Sequence, residues 1–464
     1  MNVADKAQPK VAVTPALGAW VARLDLAALP DHVVAHLKLC LLDSIGCGLY
    51  GAVQPWGRIA GDVVTRFSSG GTASLFARAD KVSPPDAALA NGTAIHGFEI
   101  DDAHVASSLH PGAVTVPACL AIAEATGATG ADMLVALAAG YEVGLRVGVC
   151  AGVSHSTSGY HVTGTAGALG AAAAAARLLG LTAEQAAHAL GIGATQAAGL
   201  YAARIGAMTK RFHAGRASQS GVIAAYLAAK GFTGSLEAIE APFGGFMSTL
   251  HGAHDPATML VDLGRRWETT RVGLKAYAAC ASAHTTIDGV LALRERGLSA
   301  DNLAKLTVRV SKKSFLNIAW PYQAGDVVGA QMNGYYAAAV TLLDGAAFVE
   351  QYDGARLADP AILAVIPKIE FVHEPQLDLG GAEKRHAVRI DAVRTDGTAL
   401  ATEIEQRRGS VDHPLSRAEV ETKFRQLVGA ASPDVAADDV IGIVDRLEQL
   451  PDIAPLVRLI SRAA

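Results

Sequence analysis

Four polar clusters interrupt an otherwise apolar chain, and each holds residue types able to move a proton or bind an anion. The first, His96 to Gly112, reads HGFEIDDAHVASSLHPG and places Asp101 and Asp102 between histidines in a Ser- and Gly-rich stretch. A histidine oriented by a carboxylate is a general acid/base. The same types are also metal ligands, or solvated charges in a loop that caps a helix. The second cluster, Ser158 to Gly164, puts His161 just ahead of the alanine run Ala166 to Ala176. The positive end of a helix there lowers a histidine pKa and favours anions; a satisfied buried histidine is the plainer alternative. The third, Met208 to Gly215, offers Lys210 for an anion, or else forms a solvated turn. The fourth, Lys275 to His284, lies where the character of the chain changes, and such junctions form clefts.

Several chemistries find no support. There is no GxxxxGK[ST] loop, no GxSxG elbow, and no strand ahead of the glycines at Gly164 and Gly167. The cysteines Cys40, Cys47, Cys119, Cys150 and Cys280 are scattered, without the spacing of a zinc or iron–sulfur site. Pyridoxal phosphate on Lys210 lacks a recognisable phosphate cup. No metal and no organic cofactor is expected. The net charge of −5 is spread without a basic stripe, which argues against nucleic acid and acidic membrane surfaces as partners. The N-terminal residues lack the order of a signal peptide, and the longest uncharged stretch, Val147 to Ala176, is rich in Gly, Ser, Thr and His. A cytoplasmic protein is expected.

The elements that must position these clusters are mainly helices. From Thr14 to about Gly264 alanine dominates, Thr129/Asp132 and Thr182/Gln185 read as capping boxes, and Gly127, Gly180 and Gly231 sit at helix stops. Beyond Lys275, Leu306, Val308 and Val310 alternate with polar residues. Val388 and Ile390 lead through Asp396-Gly397 into Leu400, Thr402 and Ile404, the pattern of a hairpin. A helical run from Gln331 to Leu343 interrupts the strands. Ser416/Glu419 open a last helix with Val420, Phe424, Leu427 and Val428 on one face. The expected fold is mostly α: a large helical domain from 1–266 with 413–464, carrying an α+β domain from 267–412. With 51% hydrophobic and 18% charged residues there is apolar surface enough for a large core and for self-association.

In this order the clusters resemble the MmgE/PrpD family. The likeness starts at Leu41-Leu-Asp-Ser-Ile-Gly46 and runs through EIDDAH, HPGAV, GYHVTGTAGALGAAAA, MTKRFHAGRASQSG and KAYAACASAH, nearly the whole chain. The family includes 2-methylcitrate dehydratase, cis-aconitate decarboxylase and iminodisuccinate epimerase. The resemblance implies a homodimer of helical domain plus α+β lid, with a cofactor-free pocket between them for a small anionic carboxylate. Carried over by motif, His110 and His161 match active-site histidines, and Lys210 and Lys275 match substrate-facing lysines. Tyr336 matches a pocket tyrosine, with Tyr335 a rival one step away, and Asp101 and Asp102 match paired aspartates that bind substrate. The implied reaction is proton abstraction beside a carboxylate of a di- or tricarboxylic acid. Arg211 stands where the decarboxylase-like pattern has proline, and the tryptophan-bearing segment of dedicated 2-methylcitrate dehydratases is missing. These departures favour an epimerase or hydro-lyase, iminodisuccinate epimerase being a named candidate. A 2-methylcitrate dehydratase, a cis-aconitate decarboxylase or a non-enzymatic helical scaffold are the alternatives.

Overall fold

Buried alanine and glycine faces set the architecture, because small side chains let helix axes approach closely. The computed structural model describes residues 12–204, 207–380 and 384–461. Its helices are α1 (Val13–Arg23), α2 (Asp31–Ala52), α3 (Pro55–Phe67), α4 (Pro84–Ile95), α5 (Pro111–Thr126), α6 (Gly130–Thr157), α7 (Val162–Leu178), α8 (Ala183–Thr195) and α9 (Thr209–Ala229). The alanine-rich α7 is central and packs on α5, α6, α8 and α9. At its crossing with α6, a Cβ on Gly140 would come within 2.9 Å of the Gly170 carbonyl, so a larger residue would force the two helices apart. Both α2 and α6 are long and apolar enough to span a bilayer by length and composition, and both lie mostly buried in this core.

Local signals decide the helix ends. Thr129/Asp132, Thr182/Gln185 and Ser416/Glu419 form reciprocal capping boxes, and Gly127, Gly180 and Gly231 take positive φ where helices end. Gly152, with φ 66° and ψ −167°, kinks α6. The helical expectation up to Gly264 fails after α9. From Phe232 to Cys280 the only helix is the single turn Phe246–Thr249, with short 3-10 turns beside it. Gly234, Pro242, Gly244, Gly245, Gly252 and Pro256 break the pattern there. This irregular stretch is tied down by Arg146 of α6. Its guanidinium donates to the carbonyls of Met259, Val261, Asp262 and Arg266 while Nε pairs with Glu142 at 3.0 Å.

A two-stranded ribbon, β1 (Ala73–Ser74) with β2 (Lys81–Val82), edges the helices. The main sheet has β3 (Leu303–Val310), β4 (Ile369–His373), β5 (Val388–Arg394) and β6 (Ala399–Ile404) in the order β4-β3-β5-β6, with β3 and β4 parallel and the other pairs antiparallel. The β5–β6 hairpin turns at Gly397, φ 86°, and registers Val388 with Ile404. Helix Ala281–Glu295 packs on β5 and β6. The run expected from Gln331 to Leu343 is split, since Asn333 accepts from the Tyr336 N–H and starts a new helix, Gly334–Asp344. Helix Arg417–Ala431, which two shorter helices, Ala437–Asp445 and Ala454–Ile460, follow, returns to α2, burying Val420, Phe424, Leu427 and Val428. The structure is mainly α with a small mixed sheet.

Candidate active site

The loop between α4 and α5 organises the site. After α4 the chain makes a 3-10 turn, His96–Phe98, and Glu99 takes a left-handed conformation, φ 56°. Glu99, Asp101 and Asp102 are all buried. His110 is the N-cap residue of α5, His161 that of α7, and Lys210 is the second residue of α9. Three helix starts therefore converge on one loop. With Lys275 they surround a cavity of about 390 Å³, whose further lining comes from the sheet region, including Asn317, Arg385, His386 and Arg407.

Glu99 holds the two lysines. It pairs with Lys210 and lies 3.4 Å from Lys275 Nζ, which also donates to the Glu99 carbonyl at 3.0 Å and stands 3.6 Å from Asp101. Burial alone would raise the Glu99 carboxyl; Lys210 and Lys275 overturn that and hold it well below the usual range. Burial would lower the Lys275 ammonium, and Glu99 and Asp101 reverse it, keeping the lysine charged.

Asp101 orders the histidines. Its Oδ2 is 2.6 Å from His96 Nδ1 and 3.3 Å from His110 Nδ1. Burial pushes the Asp101 carboxyl up, but His110, His96 and Lys275 together hold it well below its ordinary value. Burial drives His96 down to about 4, so this imidazole is neutral and donates to Asp101. His110 Nδ1 also lies 2.7 Å from the Asp102 carbonyl. A carbonyl only accepts, so Nδ1 carries the hydrogen and Nε2 is left for proton exchange. His161 lies 3.1 Å, Nδ1 to Nδ1, from His213, and burial, reinforced by the surrounding cations, drives it well below the usual imidazole range.

Asp102 has a different task. It accepts from the Gly112 N–H at 3.0 Å and from the Tyr141 hydroxyl at 2.9 Å, fixing the start of α5. Burial, Asp101 and Asp43 raise its carboxyl well above the ordinary value. Behind it, Lys423 of helix Arg417–Ala431 joins Asp43 of α2 at 2.6 Å to the carbonyls of Ile100 and Lys275 at 2.6 and 2.8 Å.

Of the residues singled out in the sequence, His110, His161, Lys210 and Lys275 line the cavity. Asp101 and Asp102 are not among the lining residues and lie behind them, where they contact His110 and the start of α5. Tyr336, expected in the pocket, is not among the residues lining the cavity. The cap at Asn333 turns it into the core, where its hydroxyl donates to the Gln351 carbonyl at 2.6 Å and its ring packs on Tyr322 and Tyr352. Tyr335 packs on Phe371, likewise off the cavity. The segment at Lys210 is a helix start in which Lys210 and Arg211 are buried while Met208, Thr209 and Phe212 stay exposed. Arg211 lies 4.0 Å over the Trp56 ring and donates from Nε to the Gly97 carbonyl, bracing the loop. Glu99, His96, His213 and the sheet-region cations were missed. For Glu99 the sequence did hold a signal, an acid beside the paired aspartates in an apolar run. His96, Asp101 and His110 bring possible metal-ligand atoms within 4.8 Å of one another. Within this group Asp101 Oδ2 already accepts from His96 Nδ1, and the Lys275 ammonium lies 3.6 Å from Asp101 Oδ1.

Two family models match the chain: the MmgE/PrpD N-terminal domain over residues 15–258 and the MmgE/PrpD C-terminal domain over residues 277–449. A cis-aconitate decarboxylase-like protein, oryM, of Aspergillus oryzae is 30% identical, covering 99% of both chains. The cis-aconitate decarboxylase of Aspergillus terreus is 28% identical over 97% of this chain and 96% of its own length. The human cis-aconitate decarboxylase is also 28% identical, over 97% of this chain and 94% of its own. With both halves matched and relatives aligned along its full length, the chain belongs to the MmgE/PrpD family.

Proposed function

We propose that the chain is a cofactor-independent lyase acting on a small di- or tricarboxylic acid, by proton transfer at a carbon beside a carboxylate. The observation that carries this reading is the tautomer of His110. Its Nδ1 is fixed as a donor to the Asp102 carbonyl, which leaves Nε2 for exchange in a cavity that Lys210 and Lys275 also line. Charge that builds on the substrate carboxylate meets fixed ammonium groups, and such preorganised charge stabilises the transition state. In a decarboxylation the bond to carbon dioxide breaks, its electron pair passes into the conjugated carboxylate system, and an imidazolium returns a proton to carbon. In a dehydration the base takes a carbon-bound proton and the departing hydroxyl receives another. The decarboxylase names of the relatives support the first course.

Epimerisation is the second reading. His110 and His161 come from separate helix starts yet line one cavity, as a base on each face of a substrate requires. One experiment separates the three. A panel of succinate-, citrate-, aconitate- and aspartate-derived acids is incubated with the enzyme in deuterium oxide with excess chelator, then read by mass and optical rotation. The lyase reading expects loss of carbon dioxide with deuterium gain, or loss of water. Inverted product that gains deuterium but loses neither carbon dioxide nor water establishes the epimerase, and no conversion of or exchange into any acid overturns both. Activity that chelation abolishes and one divalent metal restores overturns cofactor independence.

A further inference from the structure

A second group of basic side chains, two arginines and a neutral histidine, lines the cavity and takes no part in the proton transfer described above. Arg407 follows β6, and Arg385 and His386 precede β5, so both ends of the β5–β6 hairpin deliver them to the same wall. Arg407 is 2% exposed, yet its Nε and Nη2 have no hydrogen-bond partner, and no carboxylate pairs with it among the described residues. Asp288, whose charge acts on it, is occupied by the Tyr277 hydroxyl at 2.6 Å and the Arg408 N–H at 3.0 Å. His386, 8% exposed, accepts at Nε2 from Arg385 Nε at 3.2 Å, so its buried Nδ1 carries a hydrogen and is likewise unpartnered.

A buried guanidinium with idle donors is costly unless an anion meets it. The surroundings are nonetheless built to keep it there. Gly273 leaves room, since a Cβ would come within 3.0 Å of Arg407 Nη2. The Arg385 carbonyl accepts from Ser311 and Ser314 at 2.5 and 3.0 Å, and the His386 carbonyl accepts from Thr285 at 2.6 Å. The backbone of the pair is thereby pinned from two helices and a strand end. Burial, with Arg385 adding to it, draws the Arg407 guanidinium down to about 10, as expected of a charge lacking its counter-ion.

We propose that Arg407, flanked by Arg385 and His386, anchors a second carboxylate of the substrate. Building on the reading that the substrate reacts beside Lys210, Lys275 and His110, this wall makes the enzyme selective for acids with at least two carboxylates. The planar fork of arginine suits bidentate capture of a carboxylate. A monocarboxylate satisfies one end of the cavity only and leaves the Arg407 donors idle.

The test is calorimetric titration with unreactive probes, propane-1,2,3-tricarboxylate against butyrate, on the full chain. Wild-type protein should bind the tricarboxylate at least about 10-fold more tightly than butyrate. Arg407→Gln should weaken the tricarboxylate by about 10- to 100-fold and leave butyrate within about two-fold. If Arg407→Gln does not fold, Arg407→Lys retains the charge without the fork and should still lose about 10-fold for the tricarboxylate. Equal wild-type affinity for both probes, or an unchanged tricarboxylate affinity in a folded variant, overturns the proposal. The lyase reading fails separately: the tricarboxylate then binds and depends on Arg407, while no acid of the reaction panel is converted.

Discussion

Two buried carboxylates, Glu99 and Asp101, tie together the lysines and histidines around the cavity. Glu99 pairs with Lys210 and, with Asp101, keeps Lys275 charged in a place that would otherwise strip it of water, and Asp101 keeps two imidazoles in register. The proposal for His110 follows from the Nδ1 contact with the Asp102 carbonyl. His110→Asn should therefore lower kcat by about 100- to 10,000-fold with an unchanged melting temperature. His161→Asn should be as damaging only if both faces of the substrate are served. Steady-state rates and deuterium wash-out on the same variants check this, and two folded variants with wild-type turnover would show both imidazoles to be structural. The histidines and lysines were legible in the sequence because ionisable groups stand out in apolar surroundings. The role of Glu99 was not, since it depends on one left-handed residue that turns the acid toward Lys210. Nor was the fate of Tyr336, because the cap at Asn333 sets where the helix begins, and with it both Tyr335 and Tyr336 fall off the cavity lining.

At the scale of elements the site is an arrangement of helix starts, and what holds them together is contributed from far along the chain. Lys423 joins α2, the Ile100 segment and the Lys275 segment through one ammonium group, with Asp43 as its partner. Burial raises the Asp43 carboxyl, and Lys423 pulls it back down. Lys423→Met should cost about 3 kcal/mol or more of unfolding free energy, since it strands a buried acid. Adding Asp43→Asn should recover part of that loss. Denaturant titration of the two single variants and the double checks it, and strictly additive losses would show that the pair is not coupled. Capping boxes, the hairpin turn and the apolar face of helix Arg417–Ala431 were readable because each is a short-range pattern. The packing of that helix on α2 was not, for nothing local in Ser416–Ala431 names its partner. The irregular stretch from Phe232 to Cys280 was misread for a related reason: its backbone is held by Arg146, more than a hundred residues earlier.

Across the whole molecule, so many titratable groups buried together make stability depend on pH. His96 is drawn down to about 4 by burial, and His161, His284 and His386 are drawn well below their ordinary value chiefly by the same cause. An unfolded histidine takes up its proton near 6.5, whereas these do so only at lower pH. Between those limits the unfolded chain binds more protons, so stability that is full above about pH 6.5 is lost as pH falls. Each such group contributes a slope of up to about 1.4 kcal/mol per pH unit. Asp43 and Asp102, whose carboxyls are raised mainly by burial, act in the opposite sense, since the fold accepts their protons more readily than the unfolded chain does. His36, His155 and His213 are also lowered by burial and Asp288 is raised by it, so seven histidines stand against three carboxylates and leave a net loss on acidification. Lower still, Glu99 and Asp101 add to it, because both are held well below the ordinary carboxylate range and lose their partners' stabilisation once protonated. Urea unfolding from pH 7.5 to 4.5 should thus show a falling free energy that begins near pH 6.5, ahead of the range in which ordinary carboxylates titrate. Replacing His284, which lies off the lining of the cavity, by Gln should flatten that fall without altering its onset. A stability that stays level or rises down to pH 5 would mean that the buried histidines are already charged in the fold, and with them the neutral state assigned to His96 and His161 would have to be abandoned.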